Sequence, residues 1–245
     1  MRGDRNMVPE GLVFREAVHW FWATRDHQLS SQRDRGAMDA GQRSAVTGGK
    51  QMDGFARTIA QKLIAIGVPS QSIFFDKKLE LPGFYRSTKQ WDLIVITDGV
   101  LRAAIELKSQ VGPSFGNNFN NRTEEALGTA TDIWTAYREG AFQTEPTPWL
   151  GYLLLLEDCP QSRAPVKVAE PHFKVFPEFI NASYAMRYEL FCRKLVRERQ
   201  YNAACFLLSD RTQWDEDKNY TVPTEDLGPI RFFDSLSRGV RPFDN

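Results

Sequence analysis

A carboxylate on one strand, and a Glu-x-Lys triplet on the next, are the groups in this chain best placed to do chemistry. The stretch Trp91 to Lys108 reads W-D-L-I-V-I-T-D-G-V-L-R-A-A-I-E-L-K. It holds two strand-like runs joined by Asp98-Gly99, a strong short-range hairpin signal. Asp92, Glu106 and Lys108 stand where such runs are usually apolar. Residues two apart on a strand share a face, so Glu106 and Lys108 emerge side by side. Charges on an apolar strand are costly unless paired, metal-bound or used. Two carboxylates suit a hard divalent cation. Such a cation neutralises a scissile phosphate and makes its bound water more acidic. A lysine beside it can orient that water or help to deprotonate it. The pattern therefore points to metal-dependent phosphodiester cleavage, with a structural ion pair on a sheet edge as the alternative for the same three residues.

The triplet alone is unspecific. An acidic residue followed two positions later by lysine should arise by chance about once or twice in a chain of average composition. Here it occurs at Asp76–Lys78, Glu106–Lys108 and Glu216–Lys218. Only the second continues an apolar strand and follows a carboxylate-bearing one. The register supplies a geometric test. A strict two-residue Asp98-Gly99 turn would pair Asp92 with Ile105 and face it away from Glu106. A three-residue loop, Thr97-Asp98-Gly99, or an equivalent bulge, places Asp92 with Glu106 and Lys108, and this arrangement is expected.

The rest of the chain must position that hairpin. Residues 10–25 predict an amphipathic helix with Phe14, Val18, Phe21 and Trp22 on one stripe. Residues 26–50 are polar and without period, a loop or arm whose Arg33, Arg35, Arg43 and Lys50 could reach phosphates or merely be solvated. A helix over Asp53–Ile66 follows, with Asp53 suited to its N-cap. Ser72–Leu81 reads as a strand closed by Pro82-Gly83. Gly112–Arg122 reads as a Gly- and Asn-rich loop, and Thr123–Glu139 as a helix opened by Asn121 and Glu124 at capping-box spacing. Trp149–Leu156 is a strand buried on both faces. Residues 158–182 read as loop, Ser183–Arg199 as a helix, Ala203–Ser209 as a strand, and Pro229–Leu236 as a last helix. The fold class is α/β, a mixed α+β sheet flanked by helices. One domain over 1–245 is expected, with its core at about 53–157, an N-terminal helix and arm (1–50), and C-terminal additions (158–245).

Composition narrows the classes. No apolar run approaches the roughly 20 residues of a membrane span, and the N-terminus lacks a secretory segment. Three cysteines are too few and scattered for a disulfide framework or zinc knuckle, so a reducing cytoplasm is the expected setting. Net charge is zero, with 31 basic and 31 acidic residues, which argues against non-specific coating of nucleic acid but not against a basic cleft. Residues 77–122 carry seven basic and four acidic side chains, whereas 210–226 carry two and six.

With these residues assembled, a resemblance emerges. W-D-L-I-V-I, A-I-E-L-K-S and V-G-P-S-F-G-N-N-F-N-N-R, with G-G-K-Q-M-D-G-F, L-P-G-F-Y-R-S-T-K and S-Y-A-M-R-Y-E around them, resemble the XhoI family of type II restriction endonucleases over roughly residues 48–200. The Asn-rich run is the specific part. The resemblance implies a PD-(D/E)xK nuclease core, a bacterial cytoplasmic homodimer using Mg2+, and a companion methyltransferase. It implies double-stranded DNA as substrate, cut at CTCGAG to leave 5′ overhangs. It makes Asp92, Glu106 and Lys108 catalytic, and Asp92, Glu106 and Leu107 metal ligands. Trp91 replaces the proline of the superfamily name, at a position that varies. Asp53 could be a further acidic ligand, but an N-cap role is the favoured reading and it is left out of the site. Asn117, Asn118, Asn120, Asn121 and Arg122 follow the catalytic strand and become candidate DNA contacts, since Asn can pair with adenine and Arg with guanine. Local turn and capping roles compete for the same asparagines. A repair or junction-resolving nuclease on the same core, or an inactive DNA-binding protein, are the alternative functions.

Overall fold

A computed structural model describes residues 12–34, 50–142 and 146–240. Its frame is a five-stranded mixed sheet in the order β1-β4-β5-β6-β7, made of Ile73–Phe74, Leu93–Thr97, Val100–Gln110, Trp149–Glu157 and Ala203–Ser209. β1, β4 and β5 run antiparallel to one another. β5, β6 and β7 are parallel. Parallel neighbours require crossovers. These are the long helix α3 (Phe115–Arg138), the short α4 (Pro160–Arg163) and α5 (Tyr184–Arg197). β2 (Glu80–Pro82) and β3 (Thr88–Gln90) form a separate two-stranded hairpin.

Helices cover both faces. α1 (Arg15–Asp34), α2 (Asp53–Ala65) and α6 (Pro229–Val240) lie on one, where Phe14, Trp22, Phe55, Ile59 and Phe232 pack on Leu93, Val95, Ile105 and Leu107. α3 and α5 lie on the other, where Ala130, Ile133, Tyr188 and Phe191 pack on Ile94, Leu101 and Ala104. With both faces covered, β6 is buried at every residue but its last.

The β4–β5 hairpin makes the two-residue turn but avoids its register. Asp98 (φ 53°) and Gly99 (φ 78°) both adopt left-handed conformations, as a type I′ turn demands. Thr97 pairs with Val100 and Ile96 with Leu101, yet Val95 pairs with Ala103. Arg102 is thus the extra residue of a β-bulge. Beyond it the pairs are Ile94 with Ala104 and Leu93 with Ile105, a ladder whose continuation past the start of β4 would set Asp92 opposite Glu106. The expected bulge is present and the three-residue loop is not. The face assignment confirms the phase change, because Leu101 packs with Ala104 while Ala103 packs with Ile105.

Several expectations are corrected. Ser72–Leu81 is not one strand. It breaks at residues 75–79, where Lys78 has φ 57°, and its halves join different sheets. The Asn-rich run is not a loop, because α3 starts at Phe115. Phe115 and Phe119, one helical turn apart, pack on Tyr184 and Tyr188 at ring separations of 5.8 and 4.9 Å. That packing outweighs the poor helix propensity of Asn and Gly, and it leaves Asn121 and Glu124 inside the helix rather than capping it. Asp53 is the first residue of α2, behind Met52 at the N-cap, and no side chain caps this helix. α1 continues to Asp34 instead of ending near residue 25. Arg35 and Arg43 lie outside the described residues. No helix among the described residues is long and apolar enough to cross a membrane.

Candidate active site

β5 outlasts β4 at its C-terminal end, and the side chain of Asp92 takes over where the ladder stops. The Asp92 N–H donates to the Ile105 carbonyl at 3.2 Å, and the Leu107 N–H donates to Asp92 Oδ2 at 2.7 Å. A strand residue projects its N–H and C=O to the same edge, so the Leu107 carbonyl faces the same way. Burial, with the charge of Glu106, pushes the Asp92 carboxyl up to about 6, against the pull of Lys108, the Leu107 N–H and Lys89. This carboxylate is held in a place that disfavours its charge.

Glu106 is more deeply placed, its side chain only 2% exposed. Lys108 Nζ lies 2.8 Å from Oε1. Burial works against the Lys108 ammonium, but Glu106 and Asp92 more than offset it, and its pKa is net raised. Lys108 is therefore held as a cation. The second partner of Glu106 comes from outside the sheet. Lys89, on β3, places Nζ 3.0 and 3.1 Å from the two carboxylate oxygens. It also donates to the Gln90 carbonyl, and it sits 5.3 Å from the Trp91 ring centroid. Lys89 stands outside the Glu-x-Lys triplet and was not among the expected site residues. Its sequence signals are its place at the end of L-P-G-F-Y-R-S-T-K and its spacing from Trp91, two residues along an extended segment.

Two depressions flank these groups. One, of about 480 Å³, is lined by Lys50, Asp53, Asp76, Trp91, Asp92 and Leu107. The other, of about 400 Å³, is lined by Arg86, Lys89, Lys108 and Arg122 and by Glu106, Glu124 and Glu125. The expected trio is thus grouped around one strand, with Asp92 lining the first depression and Glu106 with Lys108 the second. A hollow of about 700 Å³ bordered by Trp134, Arg138 and Arg199 shares no residue with either.

The candidate DNA contacts divide. Arg122 reaches the second depression, with Nη1 2.7 Å from Glu125 and Nε buried without a partner. Asn117, Asn120 and Asn121 are exposed and Asn118 is half-buried, all on the first two turns of α3. Asp53 lines the first depression with Lys50 and Asp92, and burial raises its pKa, against Arg57 and Lys50.

The donors fit a hard divalent cation. Among the described residues no group of three or more His, Cys, Asp or Glu side chains converges. The acidic donors are the pair Asp92 and Glu106, and the Leu107 carbonyl could add a third oxygen, which is the ligand chemistry of such ions. The cost of charge at Asp92 is what a bound cation would relieve.

The hairpin supplies a mixed sheet with paired carboxylates and a lysine on neighbouring strands, the make-up of an enzyme that cleaves phosphodiesters. The chain belongs to the restriction endonuclease XhoI family, whose model matches residues 31–221. It is 57% identical over 203 residues to the type II restriction enzyme BstVI of Geobacillus stearothermophilus, covering 81% of this chain and 90% of that one. It is 48% identical over 184 residues to XhoI of Xanthomonas vasicola, covering 74% and 73%. Over 161 residues it is 50% identical to AbrI of Azospirillum brasilense, covering 65% and 72%. No solved structure matches the chain. The protein is therefore a type II restriction endonuclease, a DNA-binding, site-specific deoxyribonuclease.

Proposed function

We propose that this chain cuts both strands of DNA at the palindrome CTCGAG, with Mg2+ held by Asp92, Glu106 and the Leu107 carbonyl and with Lys108 as the catalytic cation. The observation that carries this reading is the site's electrostatic cost. A buried Glu106 faces Lys108 and Lys89, opposite an Asp92 whose charge is disfavoured by burial and by Glu106 itself. A sheet gains nothing from such a constellation that apolar residues would not supply better. When bound, the cation supplies charge neutralisation at the phosphate and a more acidic water.

The chain's own residues do the remainder. Asp92 keeps its orientation through the Leu107 N–H, so its free oxygen is presented without rotamer search. Lys108, held as an ammonium, donates a hydrogen bond to the attacking water or to the phosphate where negative charge grows. It acts as a donor and fixed positive charge rather than as the base that removes the water's proton. Arg122, beside Glu106 and Lys108, meets the phosphate backbone with its guanidinium. Asn117, Asn118, Asn120 and Asn121, on the turns before it, contact DNA from the rigid start of α3. A single domain spanning 1–245 acts as a two-fold homodimer on the two-fold palindrome. It works in the bacterial cytoplasm beside a methyltransferase that protects the same sequence.

The test is incubation of phage DNA with the protein and magnesium, followed by sequencing of the fragment ends. Discrete fragments ending at CTCGAG are expected. Fragments with another fixed end sequence would overturn the specificity and leave the reaction standing. Nicking that follows DNA structure rather than sequence would overturn both. A Glu106→Ala variant that cleaves as fast as the parent would remove the site assignment.

A further inference from the structure

Among the described residues, Lys89 is the one contact of the Glu106 carboxylate that neither the sheet nor the Glu-x-Lys triplet accounts for. It bridges both oxygens, at 3.0 and 3.1 Å, whereas the contact from Lys108 is to Oε1. It arrives from the β2–β3 hairpin, which is not part of the sheet that carries Glu106. Its ammonium can therefore leave without breaking a rung of the β4–β5 ladder. Its side chain is 18% exposed where that of Glu106 is 2% exposed, so there is an open direction to leave by. That direction is the depression it shares with Arg86, Lys108 and Arg122 and with Glu106, Glu124 and Glu125, where four cations outnumber three carboxylates and a phosphate can be met. A four-carbon stem moves an ammonium by several ångströms through rotamer changes alone.

We propose that Lys89 gates the metal site: its ammonium holds the two Glu106 oxygens that a divalent cation must take, and a DNA phosphate draws it off. The inference rests on the proposed role of Glu106 as a metal ligand. Glu106 already carries two ammonium groups, and a divalent cation taking both its oxygens would sit against the Lys89 ammonium that bridges them, so like-charge repulsion favours one or the other. Free protein thus binds metal weakly, and DNA, by giving Lys89 another anion, strengthens metal binding. Linkage makes the effect mutual, since metal must strengthen DNA binding by the same factor. The site is then charged for cleavage chiefly where DNA is already in place.

The experiment measures calcium binding by titration calorimetry, with and without a short duplex that the parent cuts in magnesium, the duplex being checked for integrity afterwards. For the parent, DNA is expected to tighten calcium binding by about tenfold or more. Lys89→Met and Lys89→Gln should bind calcium about tenfold more tightly than the parent without DNA, and should lose most of the gain from DNA. Lys89→Arg, which can still bridge the carboxylate, should keep the DNA dependence. Arg138→Met removes one positive charge from the hollow that shares no residue with either depression, and should leave the coupling in place. Circular dichroism and urea midpoints report that each variant is folded. Calcium affinities of Lys89→Met and Lys89→Gln within twofold of the parent overturn the gate, as does an equal effect from Arg138→Met. A parent that binds calcium and cuts DNA while the Lys89 variants behave like it sinks this inference alone. A parent that neither binds calcium nor cuts sinks the reading of Glu106 on which it rests.

Discussion

Asp132 and Asp92 are both withdrawn from solvent, and their surroundings treat them in opposite ways. Asp132, on α3, has three donors. The Phe84 and Tyr85 N–H groups lie 2.7 and 2.9 Å from Oδ1, and Arg86 Nε lies 2.6 Å from Oδ2. Burial raises its pKa, but Arg86 and the two amides outweigh it, and the net shift is downward. Asp92 has one amide and is pushed up to about 6. A carboxylate whose lone pairs are satisfied is a structural clamp, here fixing the tip of the β2–β3 hairpin. One left partly unsatisfied keeps its capacity for an external cation. Burial alone does not separate these roles; the count of donors does.

The largest effect that would break this contrast is on catalysis. Asp92→Ala and Glu106→Ala should each slow single-turnover cleavage of plasmid DNA in magnesium by about 10²–10⁴-fold. If Asp132→Ala, once shown to be folded, slows cleavage as much and Asp92→Ala does not, the two roles have been exchanged. Next comes the clamp. Asp132→Ala should cost about 2 kcal/mol in urea denaturation by stranding two amides and Arg86. A loss below about 0.5 kcal/mol would mean that solvent replaces the clamp.

Asp92→Asn should act in the other direction. Between pH 3.8 and about 6, the native carboxyl keeps a proton that the unfolded chain has released, so raising pH through that window lowers stability. Removing the charge should therefore stabilise the protein above pH 7 by about 1–3 kcal/mol, with little gain below about pH 4. Urea midpoints at both pH values give the comparison, and equal midpoints at pH 7 would show that Asp92 carries no such burden. The smallest effect is expected at the turn. Gly99 sits at φ 78° with nothing within 4 Å of a prospective Cβ. Gly99→Ala should thus cost only backbone strain, about 1 kcal/mol, without altering cleavage at saturating metal.

Much of this was legible in advance because the signals were local. Alternation and apolar runs announced β5, β6 and β7, and Ala203–Ser209 matches the observed strand end to end. The facing of Asp92 and Glu106 followed from parity along the chain, although which device would achieve it did not. What stayed hidden depends on partners distant in sequence. The asparagines of α3 look like loop until Tyr184 and Tyr188 pack on Phe115 and Phe119. Ser72–Leu81 looks like one strand until its ends find different neighbours. Lys89 acquires meaning only when the hairpin lays it against Glu106, 17 residues away. Asp132 resembles any polar residue on a helix until the hairpin tip folds onto it.

The bulge at Arg102 has a consequence for how this hairpin can change over generations. A two-residue turn with equal arms needs an even number of residues between facing positions, and Asp92 and Glu106 have an odd number between them. Arg102 absorbs the surplus. The hairpin therefore carries one residue in reserve. Deleting Arg102 should leave a regular ladder with every remaining pair unchanged, whereas a one-residue insertion finds no such slack and must lengthen the turn. Lineages descending from such a chain can shed a residue here more readily than gain one. An Arg102 deletion that folds but leaves Asp92 facing away from Glu106 would show that the reserve does not exist.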